Sequence, residues 1–146
     1  MSILKIASLA LSIALTGIST DNWFSNKEDA LAYAEAHNSD ILMVFAGSDW
    51  CRPCIQFKQS ILTSPEFEAF SKDNLAILYL DFPAKRKNKL SAEQTEHNEA
   101  LAEKYNLTGS FPKILLFDKE LETYQEISFK GQTPAEFIGE IKSIVR

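Results

Sequence analysis

The chain has 146 residues, a length suited to one domain, with 45% hydrophobic, 11% aromatic and 24% charged side chains. With no low-complexity tract, that composition excludes a disordered, collagenous or coiled-coil body. The net charge of −5, from 15 basic and 20 acidic residues, comes without a dominant basic stripe and excludes nucleic acid as the expected partner.

Met1 to Thr20 (MSILKIASLALSIALTGIST) carries one positive charge, Lys5, ahead of an uncharged apolar run from Ile6 to Ile18. The run is shorter than the roughly 20 residues of a membrane-spanning helix and suits the apolar core of a secretory signal. Gly17 and Ser19 make the small-residue pair that a signal peptidase reads. Residues 1–19 are therefore expected to be a signal peptide, and 20–146 the folded domain. No cysteine follows the run for lipid attachment, so a soluble exported protein is expected.

Ser25 and Glu28 form a capping-box pattern before a helix reaching about His37. Ile41–Ala46 (ILMVFA) is a short continuous apolar run, the pattern of a central parallel strand buried on both faces. After Cys51 the spacing of Ile55, Phe57, Lys58 and Leu62 predicts a helix. Ser64 and Pro65 then restart it toward Lys72, before a strand over Leu75–Asp81. Phe82–Leu90 holds Pro83 and the cations Lys85, Arg86, Lys87 and Lys89, the pattern of a solvated surface loop. Ser91 and Gln94 open a helix to about Tyr105. Lys113–Asp118 and Tyr124–Phe129 read as an antiparallel hairpin. Thr133–Glu136 caps a last helix whose Phe137, Ile138, Ile141, Ile144 and Val145 form an apolar stripe explained by core packing. This order predicts an α/β fold, a mixed central sheet flanked by helices on both faces.

Trp50-Cys51-Arg52-Pro53-Cys54 follows the buried strand directly and opens a helix. A cysteine at a helix start meets unpaired N–H groups and the positive end of the dipole, which favour the thiolate. Cys51 is thus the candidate nucleophile. Cys54, almost one turn on, lies within disulfide reach and is the candidate resolving thiol. Exchange needs both, since one cysteine alone would leave a trapped mixed disulfide. Trp50, Arg52 and Pro53 are the redox-tuning candidates. The charge of Arg52 favours the thiolate and makes the disulfide the stronger oxidant, while Pro53 stiffens the turn where its missing N–H costs little. Two other readings stand beside this one. Zinc wants four ligands, and besides the cysteines only His37 and His97 are on offer, without paired spacing, so no metal is expected. A purely structural disulfide would close a loop too small to constrain the unfolded chain much.

Together these residues resemble the thioredoxin superfamily, whose sequence sign is Cys-x-x-Cys beside a βαβ pattern. The resemblance extends to Tyr105–Phe117 (YNLTGSFPKILLF), similar to the segment that carries the family's cis-proline, and to Lys130-Gly131 before the last helix. It implies that Pro112 is cis beside the active disulfide and that Phe111 and Pro112 bind the substrate strand. It further implies a thioredoxin fold acting as a thiol:disulfide oxidoreductase on protein or peptide disulfides. The couple would be the Cys51–Cys54 disulfide, with no other cofactor, in a monomer served by a membrane electron donor or a reoxidant. A non-catalytic peptide-binding module is the competing class. The stretches GSDWC and DFPAKRKNKL resemble, more narrowly, exported thioredoxin-like proteins of Bacteroidetes, which implies the periplasm or envelope of a Gram-negative cell. Three positions depart from the family pattern. Arg52-Pro53 replaces Gly-Pro, Val44 stands where a buried aspartate helps deprotonate the resolving thiol, and Phe111 replaces a β-branched residue. Asp49 and Asp81 are the nearest carboxylates that could substitute as proton acceptor.

Overall fold

The computed structural model describes residues 21–145, so the expected signal peptide lies outside the described residues. One mixed sheet runs in the order β1-β3-β2-β4-β5. β2 (Asp40–Ala46) has β3 (Leu75–Asp81) parallel on one side and β4 (Lys113–Phe117) antiparallel on the other. β1 (Trp23–Phe24) extends the sheet parallel to β3, and β5 (Tyr124–Glu126) antiparallel to β4.

The continuous apolar run of β2 is buried on both faces, as its sequence demands. Leu42, Val44 and Ala46 pack with Cys51, Cys54, Phe57, Phe67 and Phe137, under α2 (Arg52–Phe57), α3 (Pro65–Asn74) and α5 (Pro134–Ile144). Ile41, Met43 and Phe45 alternate to the opposite face. There they meet Ala30, Ala34 and Leu101, from α1 (Lys27–His37) and α4 (Ala92–Tyr105).

Local chemistry sets the boundaries, and in four places it departs from the sequence expectation. Asn26, not Ser25, caps α1, its side chain accepting from the Glu28 and Asp29 amides. β1 was not foreseen, since two residues carry no periodicity. It is held by Asn22, whose side chain donates to the Leu75 carbonyl at 2.9 Å while its own carbonyl accepts from the Ile77 amide at 2.7 Å. The last strand is shorter than expected and ends at Glu126, after which the Ile127 amide makes one more bond, to Ile114. Ser91 does cap α4, but Gln94 does not close the box. Its side chain donates instead to the Ser25 carbonyl and to Asn98. Thr133 and Glu136 form the full reciprocal box on α5, and Ser64 caps α3 ahead of Pro65. α2 continues into a π-helical turn, Lys58–Leu62.

The strand directions decide where the site is. Ala46 stands opposite Asp81, and Phe45 opposite Lys113. The ends of β2 and β3 and the start of β4 therefore meet at one end of the sheet, bringing together residues 47–51, 82–90 and 106–112.

Candidate active site

Cys51 caps α2 from extended backbone, and its sulfur accepts the Cys54 amide at 3.3 Å. That N–H has no intrahelical partner, so it is free to stabilise negative charge on sulfur. Cys51 and Cys54 are joined as a disulfide with Cα atoms 5.2 Å apart. Cys51 is 5% exposed against 1% for Cys54, which leaves the first sulfur the more reachable of the two. Arg52 and Pro53 are exposed on the first turn.

The turn into the helix is fastened by Gly47, whose carbonyl accepts the Cys51 amide at 2.9 Å. A side chain there would overlap the Trp50 indole, so glycine is required for the ring to lie back over the turn. Trp50 is half exposed, and its Nε1–H donates to the Phe82 carbonyl at 2.7 Å. Phe111 makes edge contacts with both Trp50 (5.3 Å) and Phe82 (5.4 Å). The Phe111–Pro112 peptide bond is cis. Asn106 braces the turn before it, donating to the Ser110 carbonyl at 2.8 Å and accepting the Ser110 amide at 3.0 Å.

The carboxylates considered as proton acceptors are engaged elsewhere. Asp81 takes the Ser48 amide at 2.9 Å and the Ser48 hydroxyl at 2.6 Å. Asp49 takes the amides of Ala84 and Lys85 and the side-chain amide of Asn88. Its carboxyl is held below the usual aspartate value, chiefly by the Ala84 amide and then by Asn88. Val44 lies in the same apolar cluster as both cysteines. Its neighbour across the sheet is Tyr79, whose hydroxyl is pushed up to about 12 by burial and then by the charge of Asp81. It is therefore no base at neutral pH.

The histidines stand apart from the cysteines. His37 stacks on Tyr33 at 3.9 Å, and His97 accepts the Lys27 amide at 3.1 Å, tying α4 to the start of α1. Among the described residues no group of three or more His, Cys, Asp or Glu is placed to hold a metal ion. Gly47 and Phe82 were missed as parts of the site, and Asp49 was read from the sequence as a candidate proton acceptor rather than as the anchor of the 82–90 loop. The GSDW run beside the cysteines is the one local signal for Gly47 and for the second role of Asp49, and nothing local marks Phe82.

Comparison with known proteins agrees with this geometry. The disulfide bond reductase DsbH of Chlamydia pneumoniae is 33% identical over 124 residues, covering 85% of this chain and 72% of the relative. The thioredoxin-related protein DsbJ of the same organism is 27% identical over 136 residues, which span only 38% of its length. These relatives are chlamydial, so the narrower Bacteroidetes resemblance finds no support in them. A solved structure of a DsbH oxidoreductase superposes with a TM-score of 0.76 at 31% identity, covering 85% of each chain. A thioredoxin from Thermus thermophilus, at 20% identity and a TM-score of 0.58, shares the fold. The family model described as a thioredoxin-like domain matches residues 27–143, and the chain belongs to that family.

Proposed function

We propose that this thiol:disulfide oxidoreductase works as an exported reductase of protein or peptide disulfides, with Cys51 as nucleophile and Cys54 as resolving thiol. The observation that carries the reading is the Cys51 sulfur at the start of α2, accepting the Cys54 amide. The likeness to a disulfide bond reductase supports the direction. In the reduced protein the Cys51 thiolate attacks one sulfur of the substrate disulfide. A mixed disulfide forms, and the other substrate sulfur leaves and takes a proton. Cys54 then loses its proton, and its sulfur attacks Cys51. The second substrate sulfur is expelled as a thiolate and takes up a proton in place of the one Cys54 gave up, and the Cys51–Cys54 disulfide holds the two oxidising equivalents. A dithiol donor must return two electrons before the next cycle, and a membrane electron donor suits an exported protein. Phe111 and Pro112 offer backbone to the substrate strand by the side of the disulfide, in the manner of strand addition. Residues 1–19 serve as the export signal, on the strength of Lys5 and the apolar run, and the envelope of a Gram-negative cell is the working compartment.

Cys54→Ala tests the reading. The variant should accumulate mixed disulfides with substrate proteins through Cys51, dissolved by dithiothreitol and absent when Cys51 is also replaced. Adducts that form equally well without Cys51, or a pair that cannot be cycled between two thiols and a disulfide, would favour a binding module without turnover.

A further inference from the structure

By sequence alone Lys85, Arg86, Lys87 and Lys89 read as a solvated charge run. In the fold they sit on a loop held by the very turn that presents Cys51. Asp49 accepts the amides of Ala84 (2.8 Å) and Lys85 (2.9 Å) and the Asn88 side chain (2.9 Å). Trp50 donates to the Phe82 carbonyl where the loop begins. Within the loop, Asn88 and Lys89 donate back to Lys85 and Arg86, winding a short 3-10 turn. All four cations are exposed, and among the described residues none is in an ion pair. Lys85, Arg86 and Lys89 help to line a cavity of about 420 Å³ between this loop and α4. Two carboxylates line it as well. They are Asp81, hydrogen-bonded by Ser48, and Glu99, so the lining sets three cations against two carboxylates, and Lys87 adds a fourth cation on the loop.

We propose that this loop is a docking surface for an acidic stretch of the polypeptide whose disulfide is being exchanged. The inference rests on the oxidoreductase reading, because the position of the loop has consequences only when a disulfide is presented to Cys51. Phe82 contacts Phe111, the residue before Pro112, so the loop begins at the edge of the substrate-strand site. At roughly 3.3 Å per extended residue, a chain lying there spans to the cations within a few residues. Complementary charge at that distance orients the encounter and discriminates between partners. Anionic lipid would also be drawn to four cations, but a membrane surface gives no reason for anchoring them on the redox turn.

The test compares two synthetic peptides with one disulfide core, flanked either by Asp and Glu or by Asn and Gln. The ratio of their kcat/KM values, acidic over neutral, should be about tenfold in the wild type at low salt. It should fall toward one in the Lys85→Gln, Arg86→Gln, Lys87→Gln, Lys89→Gln variant and as salt is raised. Asp49→Asn separates an anchored loop from bulk charge. It adds net positive charge yet weakens the anchor, so the ratio should fall, whereas bulk attraction would raise it. A wild-type ratio near one, or a ratio unmoved in the fourfold variant, overturns the proposal while leaving the redox reading intact. A ratio near one together with sedimentation on phosphatidylglycerol vesicles assigns the cations to a membrane surface instead. Failure to reduce even the neutral peptide overturns the redox reading, and the docking surface with it.

Discussion

Arg52 is the residue through which this couple departs most plainly from a Gly-Pro spacer. It neighbours Cys51 on the first turn of α2 and is exposed, so its attraction for the thiolate is screened but not abolished. Stabilising the thiolate stabilises the reduced protein, and removing the charge must therefore favour the disulfide. Arg52→Gly should make the reduction potential more negative by about 10–25 mV, read by equilibration with glutathione, and should slow iodoacetamide alkylation of Cys51 near neutral pH. A potential unchanged or shifted upward would leave the helix terminus as what sets the thiolate. At this scale the cysteines were legible from spacing and context alone. The room that Gly47 leaves for the Trp50 ring was not, since it depends on how the turn folds back, nor was the packing of Phe111 on Trp50 and Phe82, which arrive from other segments.

At the scale of elements, the loop of residues 82–90 behaves as a clamped unit because Asp49 holds it from across the site. The Asp49 carboxyl is lowered from its ordinary value of 3.8, so the sign is that of a depressed acid. Its contribution to loop order is complete above the ordinary value and is lost as pH falls through the lower, folded value. The amide resonances of Ala84 and Lys85 should thus still report bonded amides at pH 3.8 and move only in more acidic solution. In Asp49→Asn they should show little dependence on pH in that range. Movement centred above 3.8 in the wild type would mean that the clamp is not made in solution. The loop itself was legible in its charge and proline content. Its fastening was not, because 32 to 39 residues separate the turn from its partners.

For the molecule as a whole, both faces of the sheet are filled, and among the described residues the body is tied down from Asn22 onward. Removal of residues 1–19 would leave that fastening whole. Protein recovered from its native host should accordingly begin at Thr20, as N-terminal sequencing would establish. An intact Met1 in a membrane fraction would instead make the segment an anchor.

The order of elements, the burial of β2 and the redox pair followed from the sequence, because each is encoded over a few neighbouring residues: an apolar run, a cap, a Cys-x-x-Cys spacing. The brief β1 pairing, the exchange of Ser25 for Asn26 at the first cap and the early end of β5 required the tertiary structure. β1 exists through long-range bonds from Asn22 to Leu75 and Ile77, and the other two boundaries depend on backbone geometry that periodicity does not carry. The same holds for the site's surroundings. Antiparallel pairing of β4 with β2 sets Lys113 opposite Phe45, and parallel pairing of β3 with β2 sets Asp81 opposite Ala46. Strand direction is a property of the assembled sheet, and it alone brought Phe82, Phe111 and the basic loop to the cysteines.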